Sequence, residues 1–184
     1  MAVRYDIFFV RRDPGQSFAD ALEETEESYH GDPGPLSAAE REQWDRLVAR
    51  ARDTLGPVEE FATDTSRELS HPGTGIEISM IAGEMTITLV DAGPGQDSID
   101  LMTKVYALAR IVEDETGLEG YDPQLEEPVS TPTEALPPGQ HPSAGSDEED
   151  IRARTVAAAA VLEAPKEPGS ALTPDRRWWE FWKP

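Results

Sequence analysis

The chain has 184 residues, 38% of them hydrophobic, with 16 Pro and 14 Gly, which suits one ordinary domain with an appendage rather than two well-cored domains. Its 37 acidic and 16 basic side chains give a formal net charge of −21, a field that repels nucleic-acid phosphates and argues against nucleic-acid binding by the chain as a whole. Cysteine is absent, which excludes disulfides, thiolate metal sites and a cysteine nucleophile.

The opening "MAVRYDIFFVRRDPG" has a short apolar run without a long hydrophobic region or a small-residue cleavage site, so it does not read as a secretory signal. No stretch approaches the roughly 20 apolar residues of a membrane span, and a cytoplasmic protein is expected. Asparagine is absent and arginine far outnumbers lysine, a bias that points to a bacterium with a GC-rich genome. In "VRYDIFFVRR", Tyr5, Ile7 and Phe9 alternate with Arg4, Asp6 and Phe8, which predicts a strand. "DPG" at 13–15 stops it. Ser17 and Asp20 then resemble a capping box, and Phe18, Leu22, Thr25 and Tyr29 follow at helical spacing.

After the loop "HGDPGPL", Ser37 and Glu40 in "SAAE" form the clearest cap in the chain. Trp44, Leu47, Val48, Ala51 and Leu55 mark one face of the second helix, and Gly56-Pro57 ends it. From Val58 to Val90 the period changes to 2 in "VEEFAT", "SRELSH", "GIEISMIAG" and "EMTITLV". The short turns between them leave no room for crossover helices, so an antiparallel meander is expected. "DSIDLMTKVYALARIVEDETG" is the third helix, with Ile99, Met102, Val105, Tyr106, Ala109 and Val112 on one face and Gly117 as C-cap. "LEGYDPQLEEPV" reads as an extended exit segment. The predicted fold is α+β over residues 1–125, in the order β-α-α-β-β-β-β-α, with an antiparallel sheet of about five strands and helices on one face.

Residues 126–146 are rich in Pro, Ser, Gly and acid, the composition of a disordered linker. An Ala-rich helix is expected over 147–164, a second linker over 165–174, and an aromatic peptide, "DRRWWEFWKP", over 175–184.

Little in this chain points to catalysis or a cofactor. His30, His71 and His141 are scattered, whereas zinc needs three or four converging ligands; no metal and no cofactor are expected. Neither a GxSxG elbow nor a Walker loop is present. "GPGQDS" before the third helix could present amides to an anion, but a turn and N-cap explain it. Glu23, Glu24, Glu26 and Glu27 on the first helix and Glu113, Asp114 and Glu115 on the third could together form an acidic binding face.

The stretches "VRYDIFFVRRDPGQSFADALE", "HPGTGIEISM" and "LARIVEDETGLEGYDPQLEEP", with the capped Trp-containing helix between the first two, carry a resemblance across residues 1–128. This part of the chain resembles small uncharacterised actinobacterial α+β proteins that open on a Tyr-Asp strand and close on Tyr-Asp-Pro-Gln. Similar small domains occur among toxin-immunity and accessory proteins, so the resemblance implies a non-enzymatic binding role and carries no catalytic residues.

Trp178, Trp179, Phe181 and Trp182, flanked by Arg176, Arg177 and Lys183, have no neighbouring segment to pack on. Three readings compete for them: docking on another protein, where Trp and Arg dominate hot spots; insertion into a bilayer interface; and folding back on the chain's own domain. The expectation is a non-enzymatic adaptor whose acidic domain binds one protein partner, its charge favouring a basic one, and whose aromatic peptide docks on a second. An immunity-type inhibitor of a basic toxin and peripheral membrane recruitment are the alternatives.

Overall fold

The alternating stretches pair into a single antiparallel sheet. The computed structural model describes residues 4–28, 34–81, 83–90, 96–130 and 144–163. Strands β1 (Arg4–Val10), β2 (Glu59–Ala62), β3 (Ser66–His71), β4 (Ile76–Ile81), β5 (Glu84–Val90), β6 (Glu119–Asp122) and β7 (Glu127–Pro128) lie in the order β2-β3-β4-β5-β1-β6-β7. The first strand is therefore central, held by β5 on one side and β6 on the other.

Period-2 patterning fixes which side chains meet. Ile78 faces Leu69 and Ile87, Ile7 faces Ile87, and Tyr5 faces Leu89, all on one face of the sheet. These residues are essentially solvent-free. Helices α2 (Ala38–Leu55) and α3 (Ser98–Thr116) cover this inner face and complete the core with Trp44, Leu47, Val48, Leu101, Met102, Val105 and Tyr106. The predicted cap on α2 is present: Glu40 N donates to Ser37 Oγ at 3.2 Å, and Ser37 N donates to Glu40 Oε2 at 2.7 Å. Gly117 closes α3 in the left-handed region, with φ 67°.

Three features correct the expectation. The sheet has seven strands rather than about five, because the exit segment folds as the β6–β7 hairpin. Asp122 Oδ1 accepts from the amides of Gln124 (2.9 Å) and Leu125 (3.2 Å), which folds the Asp-Pro-Gln turn back on itself. Gly120 is needed there, since a Cβ at that position would stand 2.8 Å from Val129 Cγ2.

The helices also do not share one face. Phe18 of α1 (Phe18–Ser28) stacks on Tyr121, with ring centroids 4.8 Å apart. Tyr121 is the cross-strand neighbour of Phe8, on the side opposite Tyr5, Ile7 and Phe9. Helix α1 thus packs on the outer face, over the β1–β6 side.

Finally, the Ala-rich segment forms α4 (Ala144–Glu163), which packs on α3. Thr155, Ala158 and Ala159 are buried, and small side chains let the two helices approach closely. Ser98 Oγ donates to Glu163 Oε1, and Arg154 Nη1 donates to the Val129 carbonyl at 2.9 Å. The aromatic peptide at 175–184 lies outside the described residues.

Replacing Ala158 with Leu should overpack the α3–α4 contact and cost about 1–3 kcal/mol in urea unfolding. Ala157→Leu, on the exposed side of α4, should stay within about 0.5 kcal/mol of the parent. Equal effects of the two would show that α4 does not pack as described.

Candidate functional site

Two groups of polar side chains stand out, one inside the fold and one on its surface. The inner group centres on Asp122, which is 1% exposed. Its Oδ2 accepts from the hydroxyls of Tyr5 and Tyr106, while its Oδ1 takes the two turn amides. Burial pushes this carboxyl up, and the Tyr106 and Tyr5 hydroxyls and the turn amides act against that rise. Burial, together with the adjacent Asp122 charge, also pushes both phenols upward. The carboxylate is fully hydrogen-bonded and closed off, which is the arrangement of a structural tie.

The surface group lies on the outer face of the sheet. Alternation places Glu59 and Phe61 of β2, Glu68 of β3, Glu77 of β4, and Glu84 and Thr86 of β5 on that side, over a floor of Ser66, Ser70, Ser79 and Thr88. Helix α1 engages the β1–β6 side of this face. There Arg12 lies 4.1 Å from the centroid of the Phe18 ring and pairs with Glu119. Asp6 is also engaged, accepting from Arg4 Nε at 2.9 Å and from Thr88 Oγ1 at 2.8 Å.

Glu59, Glu68 and Glu77 are different, because none of them forms an ion pair with another described residue. Burial pushes the Glu77 carboxyl up and the nearby Glu68 adds to this, with Arg4 opposing. Burial alone pushes Glu84 up to about 7. Phe61 stands among these acids 62% exposed.

Of the acidic residues singled out from sequence, Glu23 and Glu24 are not brought together with Glu113, Asp114 and Glu115. Glu23 and Glu24 are exposed on α1, on the outer side, and Glu24 accepts from Gln16 Nε2 at 2.9 Å. The side chains of Glu26 and Glu27 lie outside those described. Glu113, Asp114 and Glu115 belong to α3 on the opposite side, and each is already engaged. Glu113 accepts from Ser130 Oγ and the Gly120 amide, and burial pushes its carboxyl up. Arg50 pairs with Asp114 and Glu115 at 3.0 Å, and Arg46 pairs with Glu115 at 2.9 Å. Arg50 and Arg46 hold the Glu115 carboxyl below its usual range.

Among the described residues no group of three or more His, Asp or Glu could hold a metal ion. His71 Nδ1 lies 2.8 Å from Thr74 Oγ1 within the β3–β4 turn. Ahead of α3, residues 91–95 are outside the described set. Asp97 caps the helix by accepting from the amides of Ile99 (2.9 Å) and Asp100 (3.1 Å). Arg176, Arg177, Trp178, Trp179, Phe181, Trp182 and Lys183 all lie outside the described residues. No helix among those described is long and apolar enough to cross a membrane.

Reading by spacing overlooked the outer-face acids because Glu68 and Glu77 are scattered in sequence and meet only through register. The signal was available, since each sits on the polar phase of an alternating strand. Comparisons add no relative: no family model, no curated protein and no solved structure matches the chain.

Asp122→Asn should cost about 2–4 kcal/mol in urea unfolding, because an amide cannot accept from both phenols and both backbone amides. Stability should also fall as pH rises from the ordinary carboxylate range towards 7. Across that window the folded state, with Glu84, Glu77, Glu113 and Asp122 pushed up, holds more protons than the unfolded chain. Glu84→Gln should be close to neutral at the acidic end and stabilising by about 2 kcal/mol above pH 7. An equal effect at both ends of the range would contradict the raised Glu84.

Proposed function

We propose that this chain is a non-enzymatic interaction protein whose acidic α+β domain binds a basic protein partner through the outer face of the sheet. The observation that carries this reading is the set of carboxylates there, Glu59, Glu68 and Glu77, without ion-pair partners among the described residues and grouped around the exposed Phe61. On α3, by contrast, Arg46 and Arg50 pair with Asp114 and Glu115. A small polar floor with an aromatic anchor and negative charge that forms no ion pair among the described residues suits a partner that brings Lys and Arg. The aromatic residues Trp178, Trp179, Phe181 and Trp182, with Arg176, Arg177 and Lys183, act as a second docking element on a different protein.

The same face fits an inhibitor of a basic toxin, the role implied by the resemblance of residues 1–128. In that case all capture runs through the domain and the aromatic residues are dispensable.

The test is capture by the immobilised full chain at roughly 0.05 and 0.5 M salt, a range over which the screening length falls several-fold. The captured proteins should be basic, should be released by salt, and should be lost several-fold on Glu68→Gln with Glu77→Gln. Trp178→Ser with Trp182→Ser should remove a second, salt-resistant set. Capture indifferent to both salt and the glutamate changes would overturn the acidic-face reading. Flotation with anionic vesicles that depends on the two tryptophans would replace the second protein by a membrane.

A further inference from the structure

The two edges of the sheet are finished differently. At one edge Pro128 of β7 has no amide to offer, Val129 N donates to the Gly120 carbonyl at 2.8 Å, and the Val129 carbonyl takes Arg154 from α4. The other edge is β2, whose four residues are all exposed. It carries no Pro and no Lys, and its register against β3 is unbroken by a bulge, so only its four-residue length and the charges of Glu59 and Glu60 guard it.

Register shows what β2 offers. Thr63 N donates to the Ser66 carbonyl at 3.0 Å, which makes Thr63 and Ser66 a hydrogen-bonded pair. Bonded and non-bonded pairs alternate in an antiparallel ladder, so Phe61–Glu68 and Glu59–Ser70 are bonded as well. Glu60 and Ala62 therefore direct their N–H and C=O groups away from β3. Among the described residues, no backbone group outside the β2–β3 ladder bonds to them.

We propose that β2 pairs with β2 of a second copy of this chain, antiparallel and centred on Phe61. A two-fold axis at that position sets Glu60 opposite Ala62 of the other copy twice over, so each pair exchanges both backbone bonds. Phe61 meets its own copy on the outer face as an aromatic cross-strand pair, which buries a side chain that is 62% exposed in the monomer. Glu59 falls opposite Thr63, so no carboxylate on the strand faces another directly. Glu60 is already paired with Arg52 of α2 on the inner side. A second copy suits this edge because, about Phe61, the outward backbone groups match in register and each carboxylate falls opposite a small neutral residue. The interface is small, of the class that forms weak, concentration-dependent dimers. Each copy also carries a net charge of −21, so added salt should strengthen the pairing. Binding of a basic partner has the opposite salt dependence, and this inference does not rest on that partner.

Sedimentation of the full chain over a concentration series, at low salt and at roughly 0.5 M salt, tests it. The expected result is a reversible monomer–dimer equilibrium that tightens with salt. Ala62→Pro removes an outward amide while leaving the β3 ladder intact, and Phe61→Glu sets two carboxylates face to face; each should weaken the dimer at least about tenfold. Both positions are exposed, and unchanged circular dichroism would confirm that the fold is kept. Amide exchange at Glu60 and Ala62 should slow as concentration rises. A chain that stays monomeric throughout, or a dimer indifferent to both variants, overturns the proposal. So does a dimer that Trp178→Ser with Trp182→Ser abolishes while Ala62→Pro leaves it intact, because the aromatic segment would then be the contact.

Discussion

The buried carboxylate of Asp122 is the point on which the rest of the domain depends. It joins Tyr5 on the first strand, Tyr106 on α3 and the turn that starts the last hairpin. The link to Tyr5 spans 117 residues, so it can form only once the N-terminal strand lies between β5 and β6. A carboxylate taken out of water is costly unless its oxygens are all satisfied. That condition is met only when strand, helix and hairpin are placed together, which makes the tie a check on topology as well as a contact. Arg154 of α4 reaches the same hairpin at Val129 and Glu127, so the last described helix is docked against the assembly that Asp122 organises.

A consequence is a sheet with two unlike faces. The inner face is closed by α2 and α3 with Ile, Leu, Met and aromatic side chains. Among the described residues the outer face has only α1, on its β1–β6 side, and over β2 to β5 it presents Ser, Thr and Glu together with Phe61, Ile81 and Val90. One-sided burial of an antiparallel sheet requires a solvated second face, but it does not require that face to be acidic. Glu77 and Glu84 bear a desolvation cost there without a salt bridge among the described residues, while Asp114 and Glu115 of α3 are matched to arginines of α2. Ionisable groups held away from their ordinary pKa without structural return are the ones to weigh for binding.

Much of this order was legible in the sequence, and the exceptions have physical causes. The "SAAE" cap, the β3–β5 alternation and the apolar stripe of α3 are local patterns, and the elements formed where those patterns predict. The β6–β7 hairpin was not legible, because four residues of "EGYD" and two of "EP" are too few to display a period. Phe18 and Leu22 announce an amphipathic helix, but nothing in their spacing says which face of a sheet it will cover. For α4, alanine gives so little contrast between faces that the docking side, at Thr155, Ala158 and Ala159, cannot be distinguished from the exposed one. The expected acidic face meets a similar limit. Sequence shows that Glu113, Asp114 and Glu115 are charged, but not that Ser130, Arg46 and Arg50 from other elements reach them first.

Phe61 belongs both to the acidic face and to the open edge, and this dual position couples the two proposed interactions. Antiparallel pairing about a two-fold axis perpendicular to the sheet keeps the same face outward in both copies, so two acidic faces would become one continuous surface. The main force opposing that union is the repulsion between two chains of net charge −21. A basic partner lying across the joined face would cancel part of this repulsion, so its binding and the pairing of β2 would each favour the other, as linkage demands of any two equilibria that share a free-energy term. Salt is a poor substitute for such a partner, because it screens the repulsion between copies and the attraction to the partner alike. On these readings the assembled state is most stable at low salt with the partner bound, and pairing of the free chain is weakened at low salt by its own charge.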